Sequence, residues 1–597
     1  MKYLRYRDGI RSLLLILFLI GVWIPLEVRA ADKPLQNNQK TIQNRVPPAP
    51  ASPSLKPASG PTLLEVQTQT YTDIQKAILN RLKTGNGSIK SAKGAVPLRE
   101  RFYSERQFQP AWIRDKTVSD QAPRLLQALR EADREGLNPL DYRVDQIESL
   151  LTQFKQRRNG GNTISVESWA ELDVMLTDAF FSYGTHVSTG RLDPGKWFYQ
   201  WIPYRRTVDL VQVINEALDK KDVEGALKSL PPRYPAYAQL RTELANYRRI
   251  AADGGWAVIP EKTILKKGSN GQPVTLLKHR LVIAGDLDGA TLGLDEHFDG
   301  ILQAALQRFQ ERHGLKTNGV MDEETRKALN FSVEKRIRQI EWNMERWRWL
   351  PDELGPRYIM VNIPDYRLFV VENQVTIMSM KTVVGKLTNP TPVFMDNMSY
   401  LELNPTWNLP NSIVAEEMIP KVKKDPDFLT KKRIRIYKNW SPTAQEIDPD
   451  TIDWATMNPK KFPYRMIQDI GVNPLGRIKF MFPNQFDVYL HDTTQKSLFQ
   501  RSKRMYSHGC IRVERPYDLG EWVLKDDPAW SKERLIKEIK KGKRQVVNLP
   551  KHIPVYVIYL TAWFDTRGHI HFRDDIYDYD KSLEKVLKMS NSPSGKV

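Results

Sequence analysis

The apolar residues of this chain recur at three- and four-residue spacing up to Pro356 and alternate after it. A segment patterned for one period cannot bury its apolar side as the other kind of element. The chain therefore divides into a helical part and a β-rich part, and its 597 residues leave room for three or four domains. Past Pro356, residues 358–363, 367–371 and 375–383 read as strands, with Pro364-Asp365 and Glu372-Asn373 as their turns. Residues 486–490 and 555–560 continue the pattern, and Asp565-Thr566-Arg567-Gly568 reads as a hairpin turn. A mainly β domain is predicted over 357–575. Within it, about 410–470 is a polar, helix-prone insertion carrying Lys421, Lys423, Lys424, Lys431, Lys432 and Arg433. A long insertion of this kind reads as a lid.

The helical part falls into pieces. Residues 122–132, 171–183 and 208–227 carry helical periodicity, and 66–262 is predicted to be a helical scaffold. The amphipathic stretch 332–349 places Ile337, Ile340, Met344 and Trp347 on one face, so 331–356 is expected to complete that scaffold. Its tryptophans, Trp342, Trp347 and Trp349, fit core packing better than a sugar platform. Between them, 263–330 has helical spacing at Val274, Leu277 and Leu281, a second helix through Phe309-Gln310, and a His313-Gly314 stop. Together with Gly268, Leu315, Gly319-Val320 and Ala328-Leu329-Asn330, this segment resembles the small three-helix peptidoglycan-binding domain. The fold class expected is multidomain α+β.

The first thirty residues have the layout of a secretory signal. Lys2, Arg5, Arg7 and Arg11 precede an apolar run, and Val28-Arg29-Ala30 offers a cleavage site. The run is shorter than the ~20 residues of a spanning helix, so an uncleaved membrane tether is the weaker reading. Residues 31–65 are rich in Pro, Gln and Ser and are expected to be an extended linker. The expected location is the periplasm. Export changes what the net charge of +20 means: wall polymers replace nucleic acid as the expected anionic partner. Residues 576–597 are read as a C-terminal tail outside the β domain, with 590–597 expected to be disordered.

One cysteine excludes an internal disulfide and a multi-thiolate metal centre. Cys510 lies in Tyr506-Ser507-His508-Gly509-Cys510-Ile511-Arg512, nineteen positions after His491. A free thiol is mostly protonated at neutral pH and needs a base or a cation to act as a nucleophile. His491 or His508 supplies the base. Gly509 permits a tight backbone, amides near it can face an oxyanion, and Arg512 can hold a carboxylate. On residue chemistry alone an inert buried thiol is an equal reading, and either histidine could be the base.

His491, fifteen intervening residues, then Ser507-His508-Gly509-Cys510-Ile511-Arg512 resembles the signature of the L,D-transpeptidases, whose catalytic module is the YkuD domain. Val383-Val384-Gly385-Lys386 and Thr391-Pro392 extend the likeness, as does the end from Thr561-Ala562-Trp563 to Phe572-Arg573-Asp574-Asp575. Taken together the chain is similar to the large periplasmic members of Gram-negative bacteria. One departure is His491-Asp492, where smaller members have His-Gly.

The resemblance implies that Cys510 is the nucleophile and His491 the proton donor and acceptor. His508 and Gly509 would support the site, and Arg512, Ser507 and Tyr506 would contact substrate. Cys510 would attack diaminopimelate in a donor tetrapeptide and release D-Ala; a second diaminopimelate amine would then take the acyl group. The partners implied are peptidoglycan stem peptides and glycan strands, with no cofactor, no metal and a monomeric chain. Water or a lipoprotein lysine as acceptor, or a non-catalytic wall-binding scaffold, remain open alternatives.

Overall fold

A computed structural model describes residues 72–84, 98–159, 163–197, 201–202, 206–291, 296–441 and 443–590. The signal-like segment, the linker and the last seven residues lie outside the described residues.

The helical part is built around α1 (Val166–Thr189), which is buried on nearly every side. Asp173 on this helix accepts hydrogen bonds from the backbone N–H of Ala111 and Trp112 and from the Tyr103 hydroxyl at 2.6 Å. That buried carboxylate pins the preceding loop to the helix. The stretch read as one helix over 208–227 is two, Leu210–Asp219 and Val223–Lys228. Asp222 breaks it by capping the second helix, its carboxylate accepting from Gly225 N–H.

Helix α2 (Pro235–Ala252) leads to a compact unit of three helices, α3 (Gln272–Ile283), α4 (Gly300–Arg312) and α5 (Glu323–Leu329). Val274, Leu277, Leu281, Phe298, Leu306 and Phe309 form its core. Gly314 follows α4 in the left-handed region at φ 66°, as the His313-Gly314 stop requires. The unit begins earlier than residue 263: Asn330 pairs with both backbone groups of Ile259, whose side chain joins the core. Its Arg312 donates to Ile570 O in the β domain, and Arg573 of that domain donates back to Arg312 O. Helix α6 (Val333–Arg348) returns to pack on α2. Ile340, Met344 and Trp347 are buried against it. Trp349 is buried and Trp342 packs on the β core, so these rings serve packing.

The β domain contains β1 (Arg357–Asn362), β2 (Arg367–Glu372), β3 (Val375–Gly385), β4 (Val393–Leu403), β5 (Ile478–Met481), β6 (Leu490–His491), β7 (Met505–Ser507), β8 (Ile511–Val513) and β9 (Gln545–Ile558). Eight of them close a ring in the order β5-β6-β8-β3-β2-β1-β9-β4 and back to β5, with β7 paired on β3. Closure leaves no open edge in that ring. The period of two is visible across it. Leu401, Phe480, Leu490 and Ile511 are successive partners facing the core. One position on, Glu402, Lys479, His491 and Arg512 are successive partners on the other face.

Three expectations are corrected. The strand predicted over 486–490 is only Leu490–His491, because Asn484 ties 482–488 into a turn. Its side chain accepts from Phe486 N–H and donates to Phe482 O and Val488 O. The insertion is more than a helix-prone polar lid. It carries a four-stranded sheet of Trp407–Asn408, Ile434–Tyr437, Glu446–Ile447 and Arg465–Gln468, and its own core including Ile419, Ile436 and Met466. Its charged residues masked short apolar runs that pair only with one another. The predicted tail 576–597 contains α7 (Tyr579–Ser590). Leu583 is buried in the β core, and Asp580 pairs with Arg346 of α6 at 2.5 Å.

Candidate active site

Cys510 sits in the short connection between β7 and β8, and His491 ends β6. The parallel pairing of β6 with β8 sets Leu490 opposite Ile511 and His491 opposite Arg512. Ile511 N–H donates to Tyr489 O at 3.1 Å, which places Cys510 beside Tyr489. Both the N–H and the hydroxyl of Tyr489 approach the Cys510 sulfur. The Tyr489 and His491 rings lie edge to face at 5.7 Å. Tyr489 thus bridges thiol and imidazole. Sequence reasoning missed it, although its place two residues before His491 on an alternating strand was the available signal.

The backbone around the thiol is held from several sides. Gly509 adopts φ 116°, where an L side chain is strained. Its carbonyl accepts from Thr391 Oγ1 at 2.7 Å, and the same hydroxyl accepts from Gly385 N–H. Ser507 is buried; its hydroxyl donates to Cys510 O at 2.5 Å and accepts from Gly509 N–H at 3.2 Å. Ser507 therefore shapes the loop from beneath. The Gly509 amide is engaged by it, so this N–H is not a ready oxyanion donor as the sequence had allowed.

His491 is buried, and its Nδ1 lies 2.5 Å from Asp492 O. A carbonyl there fixes the proton on Nδ1 and leaves Nε2 as the basic nitrogen. Burial, then the charge of Arg512, pushes the imidazole down to about 3. Burial also pushes the Cys510 thiol up, against the hydrogen bonds from Tyr489 and the charge of Lys479. The resting pair is therefore neutral thiol and neutral imidazole, not an ion pair. Asp492, the departure from His-Gly, is a buried turn former. It accepts from Arg477 N–H at 2.8 Å and Thr493 N–H at 2.7 Å and pairs with Lys496.

His508 does not share the thiol's environment. Alternation along an extended chain would have put both on one face, but the positive φ of Gly509 breaks that alternation. Its Nε2 lies 2.7 Å from Glu417 of the insertion and 3.2 Å from Lys386 Nζ. Arg512 is half-buried, with Nη1 donating to Gln495 Oε1 at 2.6 Å and Nε without a partner among the described residues. Tyr506 is exposed and accepts from Arg501. The insertion reaches the site twice, through Glu417 and through Trp407, whose indole meets the Tyr489 hydroxyl.

A nucleophile, a neutral base, a bridging donor and an unpaired cation thus converge on one strand pair, which suits acyl transfer. The L,D-transpeptidase catalytic domain, YkuD, matches residues 356–531. The chain carries a YkuD domain. A scaffold domain matches residues 98–244, and a domain described provisionally as peptidoglycan-binding matches 270–329. A Haemophilus influenzae protein provisionally named an L,D-transpeptidase is 35% identical over 253 residues, 42% of this chain. The chain spans half the length of that relative. Among solved structures, an L,D-transpeptidase from Stackebrandtia nassauensis overlaps 49% of this chain and 94% of its own, at 13% identity and TM-score 0.20. One from Xylanimonas cellulosilytica overlaps 50% and 99%, at 13% and 0.17.

Proposed function

We propose that this YkuD protein is an exported, cysteine-dependent peptidoglycan L,D-transpeptidase. The observation that carries the reading is that Cys510 and Tyr489 lie side by side just ahead of the paired strands β8 and β6, with His491 on β6 stacked edge to face on Tyr489. In the first half-reaction His491 Nε2 takes the thiol proton as the sulfur bonds to the carbonyl carbon of diaminopimelate in a donor tetrapeptide. The carbonyl electron pair moves to oxygen and is met by the donors of Tyr489. Collapse re-forms the carbonyl, breaks the amide and expels D-Ala, whose amine takes the proton from His491. A diaminopimelate amine on a second stem then attacks the thioester and loses a proton to His491; collapse breaks the carbon–sulfur bond, and His491 returns that proton to the leaving sulfur.

A base held as low as His491 cannot carry a proton alone for long. Transfer therefore accompanies carbon–sulfur bond formation, when negative charge arises beside it. Arg512, whose Nε has no partner among the described residues, would hold a donor carboxylate. The small three-helix unit, fixed to the β domain through Arg312 and Arg573, would present glycan strands near the site. The N-terminal signal pattern supports a periplasmic location, where this substrate lies.

Mass spectrometry of muropeptides after incubation with the purified full chain tests the acceptor. The reading predicts dimers joined through two diaminopimelates, with D-Ala released. Tripeptides without dimers would instead make it a carboxypeptidase, and no change in any muropeptide would refute acyl transfer.

A further inference from the structure

Lys479 belongs to none of the roles above, yet it stands in the row that holds His491. It is the direct β-sheet partner of His491 on one side and of Glu402 on the other. Glu402 is already paired with Arg544. Lys479 has no ion-pair partner among the described residues. Its ammonium instead rests 4.0 Å from the centre of the Tyr489 ring. That ring carries the hydroxyl, and its residue the N–H, that approach the Cys510 sulfur.

We propose that Lys479 is a positioning residue of the acyl-transfer site: its ammonium, held over Tyr489, lends positive field to the Cys510 sulfur as that sulfur loses its proton. The proposal rests on the transpeptidase reading only for its catalytic meaning. A half-buried cation whose neighbouring carboxylate, Glu402, is already paired with Arg544 acts over several ångströms with less screening than a surface lysine. A cation on the face of a phenol also makes its hydroxyl a stronger donor. Charges facing the sulfur are few: Lys479 and Arg512 favour the thiolate, Asp487 opposes it, and His491 is neutral. Asp487 also presents its carbonyl 3.7 Å from Sγ. With so few charges there, loss of one cation is expected to be visible. A lysine kept only to cover the Tyr489 ring would instead act through its aliphatic stem.

The test is the pH profile of Cys510 alkylation by iodoacetamide in the full-length protein, followed by intact mass. Lys479→Met keeps the stem and removes the charge. It is expected to alkylate about threefold to tenfold more slowly at pH 7.5, with the profile displaced to higher pH. Lys479→Arg should stay within about twofold of wild type. If the Met variant does not melt cooperatively, Lys479→Gln is read in its place. Superimposable profiles for charged and uncharged variants would overturn the proposal, as would an Arg variant as slow as the Met one. Alkylation reports the thiol itself. Wild-type protein that alkylates as described but gives no adduct with a carbapenem, the β-lactam class that the family resemblance implies should acylate such a thiol, would therefore sink the transpeptidase reading and leave the Lys479 effect standing.

Discussion

Cys510 and His491 are both neutral at rest, for the same reason: burial disfavours charge on either. An ion-pair thiolate would react with iodoacetamide at an almost constant rate down to acid pH. Here the rate is expected to rise about tenfold per pH unit between pH 7 and 9, because the thiolate fraction rises so below a raised thiol pKa. A plateau extending below pH 6 would contradict the neutral pair. Gly509 gives a second prediction. An added Cβ meets nothing nearer than Pro390 O at 3.9 Å, so a clash is not the obstacle. The obstacle is φ 116°, and Gly509→Ala should cost about 1–3 kcal/mol of local strain. The variant is expected to fold while its acylation falls at least tenfold; an unchanged rate would show that the turn does not aim the thiol.

At the scale of elements, the insertion has its own core and should behave as its own unit. Ile436 is fully buried there, and Ile436→Ala should cost about 2–5 kcal/mol. Hydrogen exchange should speed up across 409–468 and stay unchanged in β1, β4 and β9; a uniform rise would mean the insertion does not open separately. The Glu417–His508 contact, about one-third exposed, is worth under about 1 kcal/mol. Strands β1 to β3 were legible in the sequence because each alternates over about six or more residues, whereas β4 was not read. The insertion's sheet was not, since its strands have two to four residues and its charges dominate the composition. The same limit hid α7, whose apolar positions make sense only against the β core. In the site, Cys510, His491 and Ser507 were legible as residues, but Tyr489 and Lys479 gain meaning only from pairing across strands. The sequence left His491 and His508 equal on geometry; the turn at Gly509 is what separates their surroundings.

Across the whole molecule, buried polar groups tie the parts together. Arg346 and Asp580 are an enclosed pair, and Asp580→Ala would remove the carboxylate that faces a buried guanidinium. Such losses cost about 3–5 kcal/mol, which should appear as a clear drop in Tm. Four histidines, His186, His313, His491 and His571, are held below the ordinary imidazole value by burial. Each is neutral when folded and takes a proton more readily when unfolded. Their stabilisation is therefore full above about pH 6.5 and is lost as pH falls toward 4 and 3, by up to about 1.4 kcal/mol per pH unit for each. Asp178 and Asp580, pushed up to about 6, bind protons in the folded state and offset part of this between pH 6 and 4. Denaturant midpoints should fall as pH drops from 6.5; a midpoint that rises would contradict these burials. The central claim is that Cys510 accepts an acyl group with His491 as its base. Intact mass after a carbapenem is added tests it most directly. One adduct on wild type, none on Cys510→Ala, and strongly slowed addition on His491→Ala but not on His508→Ala are predicted. No adduct on wild type, or one that survives Cys510→Ala, would contradict the account.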